Sequence, residues 1–243
     1  MLVIYAKEIK GFFSSLTGYV VIVVFLLMNS LFMWVFPGQM NVLETGYATL
    51  ESIFAIAPWA FLFLVPAITM RMIAEEKRLG TLELLYTRPV SELQIVLAKF
   101  LSAWTLVLLS LLPTLVFFWS VYALGSPPGN IDIGGTWGSY IGLFFLGGIY
   151  TAIGVFASSL SDNQIVAFIT AVILSVMMYL GFEFLGGLAG SGKLNLLITR
   201  IGINHHYNSI SRGVIDSRDL FYFIGVIVLF VMSTRLVLQR NKW

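Results

Sequence analysis

The amino-acid sequence predicts an all-α membrane protein with six transmembrane helices, and both its composition and the spacing of its charges support this fold class. Hydrophobic residues make up 58% of the 243 residues and charged residues only 11%, whereas a soluble domain carries roughly 25% charged residues. The mean hydropathy is +0.92. A soluble fold with so little charge could not cover its surface, and a disordered chain would contain far fewer apolar residues. The composition therefore excludes both classes.

Two further counts exclude whole classes of function. The formal net charge is only +2, so the basic excess typical of nucleic-acid-binding proteins is missing and no nucleic-acid partner is expected. The chain has no cysteine, which rules out disulfides, cysteine-ligated zinc and a thiol nucleophile. We predict no metal site.

Six long stretches without Asp, Glu, Lys or Arg mark the predicted spans. The sixth has only 15 such residues, Leu220–Thr234, which is short of the ~20 needed to cross hydrocarbon. Arg235 can reach the interface along its aliphatic stem, so this span continues to about Leu238. The first apolar run is longer than the ~7–15 residues of a signal-peptide core, so we do not expect cleavage. A single transmembrane domain over 1–243 is predicted, with spans near 19–36, 52–70, 99–123, 137–158, 164–185 and 220–238.

The distribution of Lys and Arg predicts that both termini are cytoplasmic. With the N-terminus inside, ten of the fourteen cationic residues fall on the inner side and four on the outer side, as the positive-inside rule requires. The four exceptions all lie in the last outer segment: Lys193, Arg200, Arg212 and Arg218.

Few residues inside the spans could carry chemistry. Glu183 is the only acid within a span, and it is either a wetted helix end or a polar group lining a cavity. Pro58, Pro66 and Pro113 lie within spans and serve either packing or gating. Small residues at one helical face of span four predict a close helix–helix contact, within the subunit or across a dimer: Gly147, Thr151, Gly154 and Ser158.

Three apparent motifs do not predict a site. Residues 187–194 read GLAGSGKL, close to a phosphate-binding loop, but Leu194 replaces the required Ser or Thr and the segment follows a membrane helix. Glu75-Glu76-Lys77-Arg78 does not have the Arg spacing of an intramembrane protease. His205-His206 is predicted on the opposite side of the membrane, where it forms a polar loop surface.

The inner loop, residues 71–98, is the most elaborate polar segment. Gly80 breaks the helix that leaves span two, and Thr81 is placed to cap a short new helix over Leu82–Thr87 that Pro89 ends. Ser91 and Gln94 form a capping-box pattern that starts the helix of span three. The loop should therefore be a short, stiff helix between two breakers.

The run EKRLGTLELL at 76–85, with Thr87 and Pro89-Val90 after it, resembles the signature of ABC-2-type permeases. A Lys opens the third span in that family, usually after Gly, and here the pair is Ala98-Lys99. Residues 211–216, SRGVID, followed by Asp219 and Tyr222, resemble the segment before the last span of the family. Stretches such as YAKEIKGFFSSLTGYV and INHHYNSISRGVIDSRDLFYF most resemble permeases of gliding-motility-associated ABC transporters.

The resemblance implies a non-catalytic membrane subunit in the bacterial inner membrane. It implies a separate ABC ATPase subunit dimer that binds ATP and magnesium, and a second permease subunit, identical or homologous. The inner loop would be the coupling helix that docks on the ATPase, with residues Glu76, Gly80, Thr81, Leu82, Glu83, Leu85 and Pro89. An ATP-independent channel or secondary transporter is the alternative, although such proteins usually carry charged groups at mid-membrane.

The short turn at 159–164 is a second candidate contact with the ATPase. Asp162 is its only charge, and it serves either the partner or the N-terminus of span five as a cap.

The last outer segment, Lys193–Asp219, predicts a short interfacial helix of about nine residues, which is too short to cross hydrocarbon. The alternative is an external loop with no fixed structure. Leu194, Leu197, Ile198 and Ile201 fall on one helical face. Residues 204–211 are polar enough to form a turn, and 213–219 lead back to span six. The resemblance implies re-entrant helices here that line an outer gate, with Arg212, Gly213 and Asp216 after them.

Overall fold

A computed structural model describes residues 1–87, 89–188, 190, 192–213 and 216–240, and all its regular structure in these ranges is helical. The sequence interpretations that involve Arg88, Ala189, Ser191, Val214, Ile215 and Lys242 lie outside the described residues. Six helices are long and apolar enough to span a membrane, which confirms the predicted number: Leu16–Val35, Glu51–Arg78, Glu92–Leu124, Ile133–Leu160, Gln164–Leu188 and Ser217–Arg240.

Several spans change helix type at a local break. Span one passes from an α-helix, Leu16–Ser30, into a π-helical turn, Leu31–Val35. Span three is interrupted by a 3₁₀ turn, Leu112–Thr114, that contains Pro113. Span five contains a π-helical turn, Met177–Gly181, before its last segment, Phe182–Leu188. In span two, Pro58 and Pro66 lie inside a continuous helix, Glu51–Thr69, and the break comes after it.

Shorter helices occupy both ends of the bundle. At one end lie an N-terminal helix, Leu2–Ser14, the helix Ala74–Arg78 that ends span two, and the inner-loop helix, Thr81–Tyr86. At the other end lie Val42–Thr45 and two helices that we call the outer helix pair, Lys193–Thr199 and Ile203–Ile210. The Tyr86 hydroxyl donates to the Leu238 carbonyl, so the C-terminal end of span six lies beside the inner-loop helix.

The second helix of the outer pair corrects the sequence interpretation, which expected a turn over 204–211. The polar residues Asn204, His205, His206 and Asn208 suggested a turn, but Ile203, Tyr207 and Ile210 recur at helical spacing and are fully or almost fully buried. The free energy of burying this apolar stripe outweighs the local preference of Asn for turns.

Span four is the centre of the fold and packs against spans two, three, five and six. The small residues along it let these helices approach closely: a Cβ on Gly147 would lie 2.5 Å from Val107 Cγ1, and one on Gly154 would overlap the Thr69 side chain. Thr151 and Ser158 are fully buried on the same face. The structure therefore places this contact within the subunit, which the sequence left open.

Replacing Gly154 with Ala should destabilise the protein by about 1–3 kcal/mol, because the added methyl group has to displace Thr69 in a tightly packed interior. The apparent melting temperature of the purified protein in mild detergent measures this loss. Gly225→Ala is the matched control, since nothing lies within 4 Å of a Cβ at that position. Equal melting temperatures for the two variants would contradict the close packing of spans two and four.

Candidate functional site

The inner loop begins where span two breaks, at residues 70–73, and a single hydroxyl group organises the break. Ser158 Oγ accepts hydrogen bonds from the backbone amides of Ile73 and Ala74, both at 3.0 Å. It also donates to the Met70 carbonyl at 2.9 Å. Ser158 is fully buried, so it attaches the end of span two directly to span four.

Two short helices follow this break, Ala74–Arg78 and Thr81–Tyr86. Gly80 separates them, as the sequence predicts. Gly80 has a φ of +68°, a left-handed conformation that glycine adopts without strain. The inner-loop helix starts at Thr81, but the predicted Thr81 cap is wrong, because no cap bond is present and its hydroxyl donates to the Glu76 carbonyl. The capping box of Ser91 and Gln94 is confirmed in both directions.

The inner-loop helix and the turn between spans four and five form one surface. A cleft of about 580 Å³ lies between them, and we call it the inner groove. It brings together the two segments in which the sequence placed partner contacts. Its lining residues are Lys77, Gly80, Leu82, Glu83, Tyr86, Leu160, Ser161 and Asp162.

Exposure within the inner loop separates residues that hold it from residues that face outward. Leu82 is 5% exposed and packs into the core, while Leu84 is 65% exposed. Glu83, Thr81 and Pro89 are also exposed, and Leu85 is half-buried. Lys77 Nζ donates to the Ser159 carbonyl and so joins the two sides of the groove.

Asp162 lies at the groove and does not cap span five. The cap is Asn163, whose side chain accepts from the Ile165 amide at 2.9 Å. The alternative in which Asp162 serves as a cap is therefore wrong. Its carboxylate is one of two acidic groups that line the groove, and the other is that of Glu83.

A cluster of charged groups lies behind the inner groove. Lys99 is fully buried, and its Nζ lies 2.9 Å from Glu8 Oε1, 2.9 Å from Glu76 Oε2 and 2.6 Å from the Met72 carbonyl. Glu76 also pairs with Lys7 at 3.1 Å. Partial burial lowers the pKa of Lys7. The negative charges of Glu76 and Glu8, with the hydrogen bond to Glu76, raise it by more than burial lowers it, so the pKa of Lys7 is above its ordinary value.

In the sequence, Lys99 and Glu76 stand out only as parts of the family resemblance, and nothing there indicates that they pair. Glu76 is just 9% exposed, which sets it apart from the exposed Glu83. Glu8 comes from the N-terminal helix, which the sequence analysis did not detect as a separate element. The apolar residues Tyr5, Ile9 and Phe12 recur at helical spacing among charged residues, and this pattern indicates the N-terminal helix.

The outer helix pair forms the second polar region. Its first helix turns Asn195 and Thr199 toward Gly186 of span five. Leu194 and Leu197 on this helix are exposed, and so is Ile201 just after it. Ile198 is half-buried. A helix is therefore present where the sequence predicts one, and its 7 residues are slightly fewer than expected.

The second outer helix is anchored in the bundle by Tyr207, whose hydroxyl donates to the Phe54 carbonyl at 2.8 Å. Full burial raises the pKa of Tyr207 well above its ordinary value, so this hydroxyl keeps its proton. After the helix, Gly213 has a φ of +83° and its backbone touches that of Gly135 and Gly138. Asp216 accepts from the amide of Arg218 and begins span six. Arg212 lines two adjoining outer cavities of about 460 Å³ each.

Comparison with family models finds a match to the ABC-2 family transporter protein model over residues 7–232. The chain belongs to this family. ABC-2 proteins of this type are membrane components of transporters and generally non-catalytic, which agrees with the resemblance found in the inner loop. No curated protein matches the chain significantly.

Replacing Ser158 with Ala should lower the free energy of unfolding by about 1–3 kcal/mol, because the buried backbone amides of Ile73 and Ala74 would lose the hydroxyl that accepts their hydrogen bonds. The apparent melting temperature in detergent reports the loss. Ser110→Ala is the control, since that buried hydroxyl bonds only to the Val107 carbonyl of its own helix. If both variants melt alike, Ser158 does not hold the break in span two.

Removing the cation by Lys99→Met should destabilise the protein by about 3–5 kcal/mol, since two largely buried carboxylates would lose their shared partner. Adding Glu8→Gln and Glu76→Gln to this variant should restore most of the loss, because the uncompensated charges are then gone. Lys10→Met, an exposed position on the same N-terminal helix, should change little. Failure of the triple variant to recover would show that packing, and not charge, keeps Lys99 in place.

Proposed function

We propose that the chain is the permease subunit of an ATP-driven ABC transporter, in which a separate ATPase subunit dimer binds ATP and magnesium and hydrolyses ATP. The observation that carries this proposal is the inner groove. Two segments that are 80 residues apart in the chain, the inner-loop helix and the turn at Asp162, face outward side by side. Membership of the ABC-2 family supports the same assignment.

The groove has the chemistry of a docking surface for a basic partner. Glu83 and Asp162 give it two carboxylates, and Lys77 is the cation among its lining residues. Leu84 and Leu160 add exposed apolar surface, 65% and 49% exposed. Cationic side chains of the ATPase would bind the two acids, and its apolar residues would cover the two leucines.

Glu76 has a different role in this proposal from the one expected from the sequence. Its carboxylate is paired with Lys7 and Lys99 inside the chain, so it does not serve the partner directly. It links the base of the inner-loop helix to the N-terminal helix and span three. Together with Ser158, it makes the inner-loop helix part of a unit that includes spans two, three and four.

Force applied to the inner-loop helix would therefore move these three spans as one body. Motion of the inner loop alone would have to break the bonds at Ser158 and separate Lys99 from its two carboxylates. Breaking a buried ion pair costs several kcal/mol. ATP hydrolysis on the partner would in this way change the conformation of the membrane-embedded part of the chain.

We further propose that the chain resides in the bacterial inner membrane with both termini in the cytoplasm. The excess of Lys and Arg at the end with the inner groove supports this orientation. Spans one, five and six leave many large apolar side chains exposed, among them Leu27, Ile169 and Leu236. These surfaces would contact lipid and a second permease subunit.

The similarity to gliding-motility permeases supports a role in surface motility. The complex would export a substrate or act mechanically on components of the cell envelope. Both possibilities use the same inner docking site and differ only in what the outer end contacts.

Charge reversal at the groove tests the docking proposal. Glu83→Lys combined with Asp162→Lys should reduce retention of the ATPase during purification in mild detergent about tenfold or more, because attraction becomes repulsion. ATP hydrolysis coupled to the complex should fall in parallel. Glu44→Lys combined with Glu51→Lys, two charge reversals at exposed positions at the opposite end, is the control.

Unchanged ATPase retention and activity in the double variant would contradict docking at the inner groove. A cysteine at Asn163, in a chain that otherwise has none, adds an independent measurement. It should form a crosslink with the ATPase when a short bifunctional reagent is added to the assembled complex.

A further inference from the structure

We propose that the outer helix pair carries a proton-binding site, formed by His206 and Asp219, and that the bound proton holds the second outer helix on span six. The two side chains lie on different elements, His206 on the helix Ile203–Ile210 and Asp219 in the first turn of span six. His206 Nδ1 is 2.7 Å from Asp219 Oδ1. This proposal does not depend on the ATPase partner.

The hydrogen bonds of the imidazole ring require this proton. His206 Nε2 lies 2.8 Å from the Arg200 carbonyl oxygen, which can only accept, so Nε2 carries a hydrogen. A neutral imidazole has one N–H group, and Nδ1 would then present a lone pair to the carboxylate. Two acceptors do not approach to 2.7 Å, so a second proton lies between Nδ1 and Oδ1.

The surroundings favour the imidazolium–carboxylate form of this bridge. Tyr222 stacks on the imidazole ring with centroids 3.9 Å apart, and an aromatic face attracts a cation. Asp219 lies at the N-terminal end of a long helix, where the helix dipole stabilises an anion. An imidazolium and a carboxylate at these two positions would therefore each meet a compatible neighbour.

The bridge cannot survive loss of the proton, because Asp219 has little other compensation. The residue is 7% exposed, and within the described part of the chain its Oδ2 is buried without a hydrogen-bond partner. Deprotonation of His206 would leave a buried carboxylate facing a nitrogen lone pair. The helix that carries His206 would then separate from span six.

Other charged and titratable groups surround the bridge, and two of them, Glu183 and Tyr222, are hydrogen-bonded elsewhere. On span five, Glu183 accepts from Asn204 at 2.7 Å, and Tyr179 lines the same cavity. Tyr222 donates its hydroxyl hydrogen to the Ile201 carbonyl. The ring centroid of His205 lies 5.4 Å from that of His206, and Arg212 borders the cavity.

Span four presents Gly138, Ser139 and Gly142 to this region, and none of these three residues titrates.

The consequence is a contact that depends on the pH at the outer surface. The docked helix is stabilised where the proton is bound and released as the pH rises and the proton dissociates. Since release of the helix is coupled to loss of one proton, the ratio of released to docked helix should rise by up to about tenfold per pH unit over the range in which the proton dissociates. In the orientation proposed above, this end lies on the side of the inner membrane away from the cytoplasm, and the contact responds to the pH there.

Thiol labelling of the full-length chain in detergent micelles tests the site, because the protein has no native cysteine. Ile203→Cys places a reporter at a fully buried position of the second outer helix. Its labelling by a maleimide is measured from about pH 5 to about pH 9, which brackets the ~6.5 of free imidazole. Lys193→Cys, at an exposed position, corrects for the reactivity of the thiol itself.

The corrected labelling rate should be low at acidic pH. It should rise by up to about tenfold per pH unit over the range in which the proton dissociates. In the Asp219→Asn background it should stay low throughout, because the amide nitrogen can donate to Nδ1 of a neutral imidazole without an added proton. In the His206→Ala background it should be high at every pH. A flat profile without these substitutions, or an Asp219→Asn profile that still rises, would overturn the proposal.

Discussion

Span two breaks close to the inner end of the bundle, and the break leaves backbone groups that must find partners within the protein. A membrane-spanning helix that ends abruptly cannot rely on water for these groups. Here the carbonyls of Met70 and Met72 and the amides of Ile73 and Ala74 are all bound by side chains of other spans. Ser158 serves three of the four groups, and Lys99 serves the fourth. The position of the inner loop depends on these two residues.

Lys99 joins this backbone constraint to an electrostatic one. A fully buried ammonium group is costly unless it is paired and hydrogen-bonded. The pairing needs Glu76 from the end of span two and Glu8 from the N-terminal helix, so one buried cation brings together three elements. Removal of any one of them would leave unsatisfied charge inside the protein. For this reason the N-terminal helix belongs to the inner site, although it contributes nothing to the groove itself.

The elements that could be predicted from the sequence are those whose signal is local and strong. Long uncharged stretches identified all six spans, Gly80 identified the start of the inner-loop helix, and Ser91 with Gln94 identified the start of span three. The earlier break at residues 70–73 has no such local signal. The N-terminal helix and the helix Ile203–Ile210 were not predicted, because each is short and mixes polar residues with its apolar face. Their stability comes from packing against other spans, as the full burial of Ile203 and Ile210 shows.

The candidate sites were harder to predict than the fold, because their residues come from separate elements. The sequence placed Glu83 and Asp162 in two different contacts, and only the structure shows that they border one groove. The pairing of Lys99 with Glu8 joins residues 91 positions apart, which no spacing rule reveals. His206 was interpreted as loop surface because its partner, Asp219, lies on the next helix. A sequence pattern can identify polar residues, but it does not show which of them meet.

Span four is the element that both ends of the molecule share. At its inner end, Ser158 holds the break in span two, and at its outer end the Ser139 hydroxyl donates to the Ser211 carbonyl next to the outer helix pair. Between these ends Gly147 and Gly154 bring spans three and two into direct contact with it. With so little space along this face, span four cannot shift at one end without displacing its neighbours. A displacement that begins at the inner groove therefore has a continuous, closely packed route to the segment that carries the His206–Asp219 bridge.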